Sequence, residues 1–255
     1  MKINFESSTA CNAKCTFCPR YDMTRQMGNM SDETFHKIIK DGKEMGVTNY
    51  SPFMNGEPFV FPKIWEWLDY MEKEGVTVSL YTNAEHIDVD RIIKYKNIKY
   101  INCSVNASTE ETYNKIMRGP DYKKVVKNTN ELFEKAPFLV RASLIKNELN
   151  ANEVEDFNYP KVKIEQFDNW TGDRESEFER KGKKVPCYVL FKQMFVLWNG
   201  DVVPCCMDYD GKQILGNVND NTLKEIWDYS KWMRNKHTNK DFDTFVCRNC
   251  NYNTI

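Results

Sequence analysis

Nine cysteines stand in this 255-residue chain, and eight of them fall into two groups. Cys11, Cys15 and Cys18 share one short stretch, Cys187, Cys205, Cys206, Cys247 and Cys250 form the second group, and Cys103 stands alone. Reducing compartments keep thiols unpaired, and disulfide frameworks belong mainly to small secreted domains, so the grouping points to metal ligation at two sites. Three thiolates leave one position of a four-iron cluster open to another ligand, whereas four saturate it. A zinc site or buried, unliganded thiols are the alternatives for the first group.

Other segments carry polar chemistry at the ends of apolar runs. Met54-Asn55-Gly56-Glu57-Pro58 combines a glycine, which permits close backbone approach, with a carboxylate suited to an ammonium group. Tyr81-Thr82-Asn83-Ala84 and Ser104-Val105-Asn106 offer hydroxyls and amides, and Arg141 offers a planar fork for a carboxylate.

The Cys11-x-x-x-Cys15-x-x-Cys18 loop resembles that of the radical S-adenosylmethionine (SAM) superfamily, with Phe17 matching the aromatic residue that commonly precedes its third cysteine. The resemblance implies a 4Fe-4S cluster whose open iron is chelated by SAM, and reductive cleavage of SAM to methionine and a 5′-deoxyadenosyl radical. Asn55-Gly56-Glu57-Pro58 is similar to the family's Gly-Gly-Glu-Pro motif, with Asn55 in place of the first glycine, and would bind the SAM amino group. By the same resemblance Ser104 and Asn106 are candidate contacts to the SAM ribose or carboxylate. Arg141 is a candidate for the SAM carboxylate or for a structural ion pair, and the backbone near Phe17 for the adenine.

Cys187, Gly200 and Cys205, followed by Cys247-Arg248-Asn249-Cys250, resemble the auxiliary-cluster region called SPASM, in its truncated "twitch" form. That form holds one auxiliary 4Fe-4S cluster and is known from 2-deoxy-scyllo-inosamine dehydrogenase, whose length and layout are close to this chain's. Cys187, Cys205, Cys247 and Cys250 would be the ligands, zinc being the competing occupant. Cys206 is an alternate ligand, a hydrogen-atom donor or a passive neighbour. Cys103 reads as a small buried hydrophobe, and the three histidines form no constellation.

The elements that must position these residues alternate. Strand-like runs near 2–8, 49–55, 77–83, 100–106, 138–145 and 161–167 are interleaved with helical stretches near 31–46, 61–75, 88–96, 108–136 and 150–158. This is an α/β pattern of six units, expected to form a partial (β/α)6 TIM-like barrel with functional residues at the C-terminal ends of its strands. A polar connector over 168–186 separates it from a hairpin around Asn199-Gly200-Asp201 and a helix over 222–235, a small α+β unit. The expected domains are 1–185 and 186–255.

Thirty-six basic residues against 37 acidic ones give no global field toward nucleic acid, and no apolar run is long enough for a membrane span. A cytoplasmic enzyme is expected, fed by an external electron donor such as flavodoxin or ferredoxin. Its expected substrate is a small metabolite, resembling a sugar, cyclitol or nucleotide, oxidised with the auxiliary cluster as electron acceptor. Modification of a peptide side chain is the alternative. No catalytic base is singled out: Glu165, Asp168, Asp208 and Asp210 lie near strand or hairpin ends, where carboxylates are commonly just solvated.

Overall fold

The computed structural model describes residues 1–255. Its strands are β1 (Lys2–Phe5), β2 (Asn49–Ser51), β3 (Thr77–Thr82), β4 (Ile98–Ser104), β5 (Val140–Ile145), β6 (Val162–Glu165), β7 (Gln193–Val196), β8 (Asp201–Val203) and β9 (Gly216–Asn217). They make one sheet in the order β6-β5-β4-β3-β2-β1-β7-β8-β9. The first six strands run parallel, and β7 joins β1 in parallel, Ile3 opposite Met194; β7, β8 and β9 then pair antiparallel. The expected hairpin at 199–201 is the β7–β8 turn, and the C-terminal segment extends the barrel sheet itself.

The helices are α1 (Asp32–Glu44), α2 (Ile64–Lys73), α3 (Val89–Ile92), α4 (Glu110–Ile116), α5 (Tyr122–Lys135), α6 (Tyr188–Lys192), α7 (Leu223–Tyr229) and α8 (Lys231–Thr238). Ser31 caps α1 by accepting from the Thr34 N–H, and Phe35, Ile38, Ile39 and Gly42 form its buried stripe. A Cβ on Gly42 would stand 2.2 Å from the Tyr50 hydroxyl, so the absence of a side chain there lets β2 dock. Phe35 stacks on Trp67 at 4.1 Å between ring centroids, locking α1 to α2 above Phe5.

Three expected helices differ. The stretch 108–136 splits into α4 and α5 at Arg118-Gly119-Pro120, because proline cannot continue a helix and Gly119 adopts φ +149°. Residues 150–158 form only a 3-10 turn at Ala151–Glu153. The C-terminal helix breaks at Ser230 into α7 and α8.

Strand alternation sorts the sheet into two chemistries. Ile3, Phe5, Tyr50, Val78, Leu80, Ile101, Cys103, Val140, Ala142 and Leu144 join the core beneath the helices. The alternate residues, on the inner face of the half-barrel, are polar and bond to one another. Asn4 donates to Gln193 (2.9 Å), Ser79 to Asn49 (3.0 Å), Asn102 to Ser143 (2.8 Å) and Arg141 to Asn102 (2.6 Å).

Candidate functional site

The first thiol set sits in the loop after β1, and its backbone is gripped from four sides. Arg20 donates from Nε to the Thr9 carbonyl (2.9 Å) and from a terminal nitrogen to that of Cys11 (3.3 Å). The Lys14 and Thr16 N–H groups donate to Met117 and Ile116 carbonyls at 2.9 Å, at the end of α4. Gly119 lies so close to the Asn12 carbonyl that a Cβ would stand 2.2 Å from it. The helix break at 118–120 is therefore the surface on which the cysteine loop rests. Asn12 is held in turn by Asn83 (2.8 Å) and Glu85 at the end of β3.

Gly56 and Glu57 brace the same loop. A Cβ on Gly56 would lie 2.0 Å from the Ser8 carbonyl oxygen and 2.8 Å from that of Ala10, and the Glu57 N–H donates to the Ala10 carbonyl at 2.8 Å. The fully buried Glu57 carboxylate accepts from the Thr82 hydroxyl (2.6 Å) and the Asn83 N–H (2.7 Å), joining the ends of β2 and β3. Burial pushes its pKa up to about 7, against the downward pull of those donors. Asn55 turns away and donates to Glu6 (3.2 Å).

The remaining predicted contacts separate into free and committed groups. Ser104, half-buried at the end of β4 opposite Ser143, has an uncommitted hydroxyl. Asn106 is buried with φ +63°; its side chain accepts from the Ile145 N–H (3.0 Å) and donates to the Met117 sulfur. Arg141 forms no ion pair: it lies over the Tyr100 ring, 4.7 Å from its centroid, bonded to Asn102. Phe17 packs against the core, and its carbonyl accepts from the Trp170 indole (3.0 Å).

The second thiol set lines a cavity of about 20 Å³ bounded by Cys187, Cys205, Cys206, Cys247, Cys250 and His237. Cys187 leads into α6, and its N–H donates to His237 Nδ1 (3.2 Å); Cys205 and Cys206 follow β8; Lys184 donates to the Cys247 carbonyl (2.8 Å). Gly200 takes φ +91° with Asn219 2.4 Å from where a Cβ would be, which explains the glycine in the cysteine spacing.

Thiols in both sets are pushed upward by burial: Cys11, Cys206 and Cys250 to about 12, with Cys205 raised further by its neighbouring sulfurs. What fits a thiophilic, cationic group is the donor set itself: three thiols share one short loop and five line one cavity, and such a group would take them as thiolates.

Residues 167–174 join the two sets. Asn169 exchanges hydrogen bonds with Asn251 (2.9 and 3.2 Å) and donates to the Asn249 carbonyl (2.9 Å), while Trp170 reaches Phe17. Trp170 and Thr171 both adopt positive φ, at 48° and 65°. Asp173 accepts from Tyr209 (2.9 Å) and Lys212, and Arg174 pairs with Asp22. The four carboxylates near strand and hairpin ends, none of them singled out as a base, are all engaged: Glu165 with Lys163, Asp168 with Arg180, Asp210 with Thr24 and Arg25, and Asp208 with the Lys212 and Gln213 N–H groups.

Sequence reasoning missed Glu6 and His237. Glu6, fully buried, pairs with Arg25 (2.6 Å) and also accepts from Asn55 and the Trp198 N–H. A carboxylate alternating with Ile3 and Phe5 just before the cysteine loop was the available signal. For His237, fifty residues beyond Cys187, spacing offered none.

Residues 5–157 match the radical SAM superfamily and residues 187–251 match SPASM, an iron–sulfur cluster-binding domain. The chain belongs to the radical SAM superfamily, whose domain binds a 4Fe-4S cluster and SAM. Among curated proteins it is similar to a GTP 3′,8-cyclase of Clostridium botulinum, 26% identical over 167 residues, 61% of this chain and 52% of that protein. The chain thus spans about half the length of the curated relatives it matches. Among solved structures it is similar to BtrN in complex with AdoMet and 2-DOIA (18% identity, TM-score 0.71, 98% and 92% of the two chains). It is also similar to Streptococcus suis SuiB bound to precursor peptide SuiA (16%, TM-score 0.74, 98% and 69%). These likenesses establish the partial TIM-barrel fold. No helix is long and apolar enough to cross a membrane.

Proposed function

We propose that a small polar metabolite gives up a hydrogen atom to the 5′-deoxyadenosyl radical and then loses a proton and passes one electron to a single auxiliary 4Fe-4S cluster, a two-electron oxidation in all. The observation that carries this reading is the 167–174 segment, which braces the Cys11–Cys18 loop and the Cys247–Cys250 loop against each other beside a polar inner sheet face. When bound, the N-terminal cluster and SAM supply a carbon radical strong enough to take hydrogen from a C–H bond. Cys11, Cys15 and Cys18 would hold the first cluster and Cys187, Cys205, Cys247 and Cys250 the second. Gly56 and Glu57 fix the cysteine loop and would bind the SAM amino group, with Asn55 bearing on the loop through Glu6. Ser104 would offer its free hydroxyl to SAM, Asn106 shapes the β4 end, and the backbone near Phe17 would border the adenine. A low-potential donor such as flavodoxin or ferredoxin would supply the electron, and a cytoplasmic setting suits nine unpaired thiols.

A second reading, modification of a peptide side chain, draws on Cys206. This fifth thiol lines the same cavity as four that suffice for a cluster; hydrogen-atom return from it would give an epimerised product and a thiyl radical, which an electron from the low-potential donor and a proton would restore to the thiol.

The test is anaerobic reconstitution with iron and sulfide, then SAM and dithionite, with 5′-deoxyadenosine measured against the Cys11, Cys15, Cys18 triple-alanine variant. About eight irons per chain are expected, four per cluster, with 5′-deoxyadenosine from the intact protein alone. Full iron with no 5′-deoxyadenosine would sink the reading. Product analysis with a deuterium-labelled substrate separates oxidation from epimerisation.

A further inference from the structure

The inner face of the half-barrel holds two cations without a carboxylate partner. Lys2 Nζ lies 4.9 Å from the Tyr81 ring centroid and 5.8 Å from that of Tyr100; the Arg141 guanidinium lies 5.8 and 4.7 Å from the same two rings. The phenol oxygens of Tyr81 and Tyr100 bond to each other, and Lys2 reaches the Tyr100 oxygen at 3.5 Å. Neither cation forms an ion pair, whereas the carboxylates nearby are taken: Glu6 by Arg25, Glu165 by Lys163 and Asp168 by Arg180. Two like charges over one pair of rings, half-buried, repel each other in a medium that screens poorly. Ser51, fully buried on the same face opposite Asn4, has a hydroxyl with no partner. Burial lowers Lys2, an effect that Tyr100 partly offsets; an incoming anion would reverse it.

We infer that Lys2 and Arg141, framed by Tyr81 and Tyr100, form a subsite for an oxyanion, so that the substrate carries a phosphate or a carboxylate. This rests on the radical SAM reading and narrows its substrate class. The anion belongs to the substrate rather than to SAM for a geometric reason. Arg141 pairs with Asn102, two residues short of the Ser104–Ser143 pair at the strand ends, or about 7 Å lower at the usual strand rise. Its side chain runs across the sheet to Asn102 in its own layer instead of upward. The guanidinium keeps its terminal nitrogens free for a fork, and the ammonium adds a point charge beside it.

The test titrates the reconstituted holoenzyme, with SAM present, against inorganic phosphate and against malonate at low ionic strength by calorimetry, and measures SAM affinity in parallel by equilibrium dialysis. Saturable binding of one probe is expected, weakened at least tenfold by Arg141→Gln and by Lys2→Gln, and weakened less by Arg141→Lys, which keeps the charge but loses the fork. Iron content reports that each variant is folded. The inference falls if neither probe binds, if Arg141→Gln and Lys2→Gln leave probe binding unchanged, or if SAM affinity drops as far as probe affinity. None of these measurements needs turnover, so 5′-deoxyadenosine formation still tests the parent reading on its own.

Discussion

Replacing Gly56 by alanine tests how the cysteine loop is held. The added carbon would stand 2.0 Å from the Ser8 carbonyl oxygen and 2.8 Å from that of Ala10. Both atoms are backbone, so no side chain can swing aside, and reaching an ordinary contact of about 3.5 Å requires displacement by more than about 1 Å. Overpacking of this kind costs about 1–3 kcal/mol, and straining the Glu57-to-Ala10 hydrogen bond adds about 1 kcal/mol. A total of about 2–4 kcal/mol lowers Tm by roughly 5–15 °C in a chain of this size. The shift falls on the residues leading into Cys11, so Gly56→Ala should also lose iron from the first thiol set. Gly46→Ala is the control: φ is +72° there but nothing lies within 4 Å, so it should cost about 1 kcal/mol and leave iron untouched. Unfolding of the apoprotein, iron per chain and SAM affinity give the three readouts. A Gly56→Ala protein within about 0.5 kcal/mol of wild type, with full iron, would refute the close-approach argument.

Glu57 carries a pH signature in the apoprotein. Its carboxyl is raised from an ordinary 4.5 to about 7, so the folded state binds the proton more tightly; its contribution is complete below about 4.5 and disappears as pH rises through 7. Denaturant titrations from pH 4.5 to 7.5 should show about 3 kcal/mol lost, and Glu57→Gln should flatten that slope. Breaking the buried Glu6–Arg25 pair from one side, by Glu6→Gln or Arg25→Met, should cost about 3–5 kcal/mol, with the double variant recovering much of it. Additive losses in that cycle would contradict the pairing. Asn169→Ala and Asn251→Ala should each cost about 1 kcal/mol and lower the iron of the second thiol set, and their losses should add, since each side-chain oxygen accepts a separate bond from the other residue's backbone N–H.

The sequence made the barrel legible because its outer face repeats a simple rule: apolar residues alternate along strands and recur at helical spacing in α1 and α5. The thiol sets were legible because short loops keep ligand spacing in the chain. The helix break at 118–120 was written as Gly119-Pro120 but was overrun by the apolar period on either side; its reason, the Asn12 carbonyl, is a hundred residues away. Tertiary commitments were equally hidden. Nothing local says that Asn106 spends its amide on Ile145, or that Trp170, Asp173 and Arg174 hold the first loop and its neighbours in place.

The place of β1 in the sheet has a consequence for synthesis. It lies between β2 and β7, and Asn4 meets Met194 across 190 residues of chain. At about 5–20 residues per second, a ribosome needs about 10–40 s to deliver that partner. Through that interval one side of β1 offers unpaired N–H and C=O groups to any neighbouring nascent chain. A chain cut before residue 193 would lack β7 and keep that edge open permanently, so the C-terminal segment acts as a built-in guard against intermolecular strand pairing.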